Sequence, residues 1–171
     1  EIIELSRRHL PFTTAGVFDD PRLRVVIGDG AKVIRDRPGH FDVVIVDGAD
    51  DVGPAAVLYQ EPFYRDVAAA LAPDGVAAFQ VGPFLELDFP REIARRLATA
   101  FSFVTPHRFT MPVYNDGEYC FLAASRDVDL EAVSRTTLAE RLARMPGREG
   151  LRYYSPDIHE ASQVLPPMYD L

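Results

Sequence analysis

The six residues Phe41-Asp42-Val43-Val44-Ile45-Val46 constrain the fold more than any other stretch of this chain. They are β-branched and apolar without the alternation of a strand that is wet on one side. Such runs belong to strands covered on both faces, as in parallel sheets flanked by helices. The run ends at Asp47 and gives way to a loop rich in Gly, Ala and Asp. A helix is expected over 61–71, where Phe63, Val67, Ala70 and Leu71 share one face. Pro73-Asp74-Gly75 then turns the chain into a further central strand at 76–81, the third in chain order.

The rest of the chain extends this alternation. Residues 1–10 place Ile2, Ile3, Leu5 and Leu10 among charges, as a short amphipathic helix closed by Pro11 would. Residues 23–27 read as a strand stopped by Gly28-Asp29-Gly30, ahead of a short helix at 31–37. A helix at 89–100 follows, then two strands at 101–111 and 118–124 around the turn-forming Tyr114-Asn115-Asp116-Gly117, then a helix-prone segment up to Met145. Together these predict one α/β domain over 1–171 with an open, mostly parallel sheet and an antiparallel edge. Ligands of such sheets bind beyond the carboxyl ends of the strands, and Asp29 and Asp47 both fall at that edge.

Charge and composition narrow the function. The formal net charge of −8 lacks the basic surface of a nucleic-acid binder. An acidic cleft concentrates polycations, although the same charge also serves plain solubility. No apolar run approaches the ~20 residues of a membrane helix, and the opening residues, acidic and basic by turns, are unlike a signal peptide. The lone cysteine, Cys120, sits in YCFLAA as a buried strand thiol would, which points to a cytoplasmic protein.

The block from Val46 to Ala55 concentrates the chemistry, with Asp47, Asp50 and Asp51 inside five residues. Such carboxylates repel one another unless water or a cation relieves them. A solvated acidic loop, a divalent-metal site and an amine site all fit. No His or Glu cluster stands nearby to complete a metal site, so no metal ligand is assigned. An amine site needs only one carboxylate to accept N–H bonds and another to hold a distal ammonium.

Asp47-Gly48-Ala49-Asp50-Asp51-Val52-Gly53-Pro54 resembles the signature Asp-Ser-Ser/Thr-Asp-Pro-x-Gly-Pro of the polyamine aminopropyltransferases, the spermidine-synthase family. Gly28-Asp29-Gly30 is similar to that family's adenine-binding Asp-Gly, and Gln80 to the glutamine of its next strand. Pro112-Val113-Tyr114 is similar to its Pro-Thr-Tyr, and Tyr153-Tyr154-Ser155-Pro156-Asp157-Ile158-His159 to its closing Tyr-Tyr-x-x-Asp-x-His. The matches run collinearly across the chain.

The resemblance implies a Rossmann-like, methyltransferase-type sheet and transfer of an aminopropyl group from decarboxylated S-adenosylmethionine to putrescine or a related amine. That sulfonium is a co-substrate, 5′-methylthioadenosine is the product, and no further cofactor is implied. By the same resemblance Asp47 is the general base, and Gly48, Ala49, Asp50, Gln80 and Tyr114 join it in binding the amine. Asp29, Gly30 and Pro54 hold the nucleoside, and a homodimer or tetramer is expected.

The departures matter as much. Asp51 stands where the signature has proline, Gly48 and Ala49 where it has hydroxyls, and the Glu that follows the family's glutamine has no counterpart after Gln80. The family's amino-terminal β segment, glycine-rich loop and ribose-binding acid have no match in these residues, so the sheet is expected to be incomplete at its front. Two strands would lie between 23–27 and 41–46. A methyltransferase using intact S-adenosylmethionine and a non-catalytic nucleoside-binding remnant are the alternatives. The acidic loop argues against the first, because a substrate carboxylate wants a basic or amide-rich pocket.

Overall fold

The computed structural model describes residues 1–14, 16–49, 51–86, 88–114 and 117–169. Four strands, β1 (Phe41–Val46), β2 (Leu71–Pro83), β3 (Phe103–Thr110) and β4 (Glu118–Ser125), form one open sheet in the order β1-β2-β4-β3. β1 and β2 pair in parallel, with Val43 opposite Val76 and Ile45 opposite Ala78. In chain order the described residues form the helices α1 (Ile2–His9), α2 (Pro11–Thr14), α3 (Gly30–Arg35), α4 (Glu61–Ala70), α5 (Asp88–Leu97), α6 (Arg135–Arg144) and α7 (Pro156–Gln163). The crossover from β1 to β2 carries α4, as parallel neighbours require. β2–β4 and β3–β4 are antiparallel. The α/β open sheet with its antiparallel edge is therefore present, but it is mixed: one pairing among the described strands is parallel and two are antiparallel.

Pro73-Asp74-Gly75 turns the chain within the span of β2. Phe41 pairs with Leu71 but Val43 already pairs with Val76, so the turn is housed in a bulge. Asp74 has a φ of 60° there, and a Cβ on Gly75 would lie 2.9 Å from the Ala72 carbonyl oxygen. The buried Ser125 hydroxyl donates to the Gly75 carbonyl at 2.9 Å and fastens the bulge to β4.

One face of the sheet holds the core. Ala77, Phe79 and Val81 of β2, with Cys120, Leu122 and Ala124 of β4, cluster with Phe63, Tyr64 and Val67 of α4 and with Ile93 and Leu97 of α5 (Asp88–Leu97). Burial pushes the Cys120 thiol up to about 11, the expected behaviour of an inert strand cysteine. At the chain's end Tyr169 stacks on Phe84 with ring centroids 4.0 Å apart.

The other face is covered only in part. α7 (Pro156–Gln163) packs on β3, where His107 donates from Nδ1 to the Ser162 hydroxyl (2.8 Å) and that hydroxyl donates to the His159 carbonyl (2.6 Å). His107 also lies flat on Phe121, and burial lowers its pKa to about 4, with His159 adding to the effect. The closing Tyr154 and His159, 3.3 Å apart between Oη and Nδ1, thus belong to the seam that fixes α7.

The strand expected at 23–27 is absent from the sheet, which is a correction. Val25, Val26 and Ile27 are exposed, Ile27 at 87%, and no described strand pairs with them. β1 is an edge strand, with Val43 and Ile45 exposed at 61% and 74%. A β-branched segment forms a strand only where a neighbour offers backbone partners.

Candidate functional site

At the carboxyl ends of β1 and β2 lies a cavity of about 760 Å³. Its floor is the partly covered sheet face, Ile45, Ala78, Gln80 and Phe121, and its rim comes from Asp47-Gly48-Ala49 and from Tyr114. Gln80 faces this side because the strand alternates: Phe79 and Val81 beside it point into the core at 2% and 1% exposure. Phe109, Met111 and Tyr119 complete the wall, with Tyr114 tilted against Tyr119 at 5.1 Å between centroids.

A second cavity, of about 310 Å³, opens on the other side of the same loop and is lined by Gly30, Val33, Ile34, Leu58 and Phe63 together with Asp47 and Gly48. The two cavities share the residues that end β1. Gly48 is tight against Leu58; a Cβ on it would meet Leu58 Cδ1 at 3.2 Å. The loop is held from beneath by Tyr59, buried in the core, whose hydroxyl donates to the Ala49 carbonyl at 2.9 Å.

Asp29 has a structural duty. It is the N-cap of α3 (Gly30–Arg35), accepting from the Ala31 and Lys32 amides at 3.0 and 3.4 Å. Both bonds fall on Oδ1; Asp29 itself lines neither cavity, although Gly30 beside it lines the second.

The sequence-expected residues divide accordingly. Asp47, Gly48, Ala49, Gln80 and Tyr114 line one cavity, and Gly30 joins Asp47 and Gly48 around the other. Pro54 is exposed at the start of a 3-10 turn, Gly53–Tyr59, and lines neither cavity, whereas Leu58 of the same turn lines the smaller one. Asp50 lies outside the described residues. The aromatic walls Phe109, Tyr119 and Phe121 were missed, although the period-two spacing of 119 and 121 on one strand carries the signal.

Asp47 is exposed at the cavity rim. A carboxylate there can accept N–H bonds and can take a proton from a cation brought beside it. The aromatic and aliphatic walls suit methylenes and, through ring faces, a positive charge. Beyond Asp47, none of the described residues lining the larger cavity is charged.

The model of the spermine/spermidine synthase domain matches residues 1–133. The chain is 36% identical to the polyamine aminopropyltransferase of Ruegeria sp. (strain TM1040) over 168 residues, covering 96% of this chain and 58% of that protein. Among solved structures, it superposes on the spermidine synthase from Thermotoga maritima with a TM-score of 0.82 at 31% identity, covering 98% of this chain and 55% of the other. A spermidine synthase in complex with the transition-state analogue AdoDATO gives a TM-score of 0.86 at 30% identity, covering 98% and 56%. The chain thus spans a little over half the length of the relatives it matches.

Proposed function

Because the chain belongs to the spermine/spermidine synthase family, we propose that its protein moves the aminopropyl group of decarboxylated S-adenosylmethionine to putrescine or a related amine, releasing 5′-methylthioadenosine. The observation that carries this reading is the meeting of two cavities at Asp47 and Gly48. The smaller, beside the start of α3, suits the nucleoside, with Oδ2 of Asp29 accepting from the adenine amino group. The larger, with one carboxylate at its rim and aromatic walls, suits the amine. A solved relative held with a transition-state analogue supports the assignment.

An ammonium has no lone pair, so Asp47 first takes a proton from the acceptor nitrogen. That nitrogen then attacks the propyl carbon next to the sulfonium, a C–N bond forms, and the C–S electron pair returns to sulfur as a neutral thioether. The leaving group needs no acid. The steps left to the protein are proton removal and alignment, each of which contributes substantially when geometry is held. Asp47 is exposed in this chain, so its desolvation in the reaction has to come from the donor, the acceptor and whatever closes over the open sheet face.

Mass-spectrometric detection of methylthioadenosine, with and without putrescine, tests the reading in the protein expressed from its complete coding sequence. Amine-dependent release supports it. Methyl transfer from intact S-adenosylmethionine would replace it with the methyltransferase reading, and nucleoside binding without turnover would leave a non-catalytic module. A dimeric or tetrameric assembly in the cytoplasm belongs to the same proposal.

A further inference from the structure

β3 and β4 set a row of rings along the partly covered face of the sheet. Residues opposite one another on antiparallel strands share a face, and His107 stands opposite Phe121 as Phe109 stands opposite Tyr119. Phe109, Tyr119 and Phe121 line the larger cavity, whereas His107 does not. His107 is buried behind them, between Phe121 and α7, so it does not itself touch what the cavity holds.

The His107 ring meets two demands at once. Its plane lies 7° from that of Phe121 with centroids 4.9 Å apart, an offset stack that covers part of one face of the phenyl ring. From its edge, Nδ1 donates to the Ser162 hydroxyl of α7 at 2.8 Å, and the His159 ring closes on it at 5.1 Å and 67°. Ser162 is fixed in turn, because its hydroxyl donates to the His159 carbonyl at 2.6 Å. Partners outside the cavity therefore set the plane of the imidazole, and the imidazole sets the plane of Phe121. Within the cavity wall Phe121 also meets Phe109, tilted by 44° at 6.0 Å, a looser contact. Asparagine would reach Ser162 without a ring, and phenylalanine would offer a ring without a donor; histidine supplies both.

We propose that His107 is a positioning residue for the acceptor amine, acting through Phe121, whose ring it holds at a fixed angle in the cavity wall. The inference rests on the aminopropyl-transfer reading above. The face of an aromatic ring attracts an ammonium and its edge does not, so a wall ring free to turn loses both its shape and its preference for charge. The described lining of the smaller cavity comes from α3, α4, β1 and the residues after β1, with none from β3 or β4. Nucleoside affinity is therefore independent of His107.

The test is a double-mutant cycle on protein expressed from the complete coding sequence: wild type, His107→Asn, Phe121→Leu and the two combined. KM and kcat are measured for putrescine and for spermidine, with Tm alongside. His107→Asn should raise the KM of the better acceptor by about threefold to tenfold at nearly constant kcat, the scale of one lost ring stack. Methylthioadenosine affinity should not move. In the Phe121→Leu background the same substitution should add nothing to KM, because the ring it positions is gone. His107→Phe, which restores a ring but not the bond to Ser162, should bring KM back toward wild type while Tm stays low. A lowered Tm with unchanged KM in His107→Asn, an equal rise in KM with and without the Phe121 ring, or a raised KM in His107→Phe overturns the proposal. Calorimetric titration of the two amines into the same proteins reads the cycle without turnover. Absence of methylthioadenosine release with every amine would refute the transfer reading; coupling of His107 to Phe121 in amine Kd would still support the positioning role, and its absence would refute it.

Discussion

Replacing Asp29 with serine separates two jobs that its carboxylate would do at once. Oδ1 caps α3 through the Ala31 and Lys32 amides, while Oδ2 is the oxygen proposed to accept from an adenine amino group. Asp29→Ala removes both. Losing the cap costs about 1 kcal/mol, which in a chain of this size lowers Tm by roughly 2–4 °C. Losing a hydrogen bond to a charged acceptor costs about 1.5–3 kcal/mol of nucleoside affinity, or roughly 10- to 150-fold in Kd. Serine is a comparably good cap, so Asp29→Ser should restore most of the lost Tm while leaving methylthioadenosine binding as weak as in the alanine variant. Scanning calorimetry and isothermal titration on the protein from its complete coding sequence give the two numbers separately. If Asp29→Ser binds the nucleoside like wild type, Asp29 is only a helix cap and the donor site has been misassigned.

Three further outcomes are expected. Asp47→Asn should lower kcat by roughly 10²-fold or more while nucleoside affinity stays nearly constant; retention of most of kcat would remove Asp47 as the base. His107 is buried with its pKa lowered from the usual histidine range to about 4, so the unfolded chain takes up its proton first as pH falls. Its stabilising effect is therefore complete above about pH 6.5 and is lost progressively down to pH 4, on the order of 2–3 kcal/mol; His107→Asn, measured by thermal unfolding across that window, should flatten the dependence, and an unchanged slope would refute the assignment. A polypeptide of these 171 residues alone should self-associate or fold poorly, because Val25, Ile27, Val43 and Ile45 are exposed beside an unpaired strand edge; a compact monomer by light scattering that binds methylthioadenosine tightly would contradict it.

What the sequence made legible was set by local signals. The 41–46 run is a strand because its β-branched residues also have a neighbour in β2, and Pro73-Asp74-Gly75 is a turn because a left-handed Asp74 and a crowded Gly75 need no tertiary help. Residues 23–27 carry the same local signal but have no strand beside them, so the propensity found no ladder to join. The loop residues Asp47, Gly48 and Ala49 were identifiable by resemblance, as were Gln80 and Tyr114. The far wall was less so, since Phe109, Tyr119 and Phe121 meet the loop only through the order of strands. The capping role of Asp29 was equally hidden, because it depends on where α3 begins. Pro54 stands exposed at the start of the 3-10 turn after Val52, whereas Leu58 in the same turn lines the smaller cavity.

The alternation of β2 has a consequence for how such a site changes over generations. Ala77, Phe79 and Val81 carry the core on one side of the pleat, while Ala78 and Gln80 on the other side meet the cavity. A substitution at 78 or 80 alters what the cavity admits without opening a void among Phe63, Ile93 and Leu122. Loss of folding stability and a change in what the cavity admits are thereby assigned to different residues of one strand, and a lineage can explore the second while the first stays buffered. Asp51, on a loop tethered through Ala49 to the Tyr59 hydroxyl, lies outside the buried core cluster and is open to the same drift.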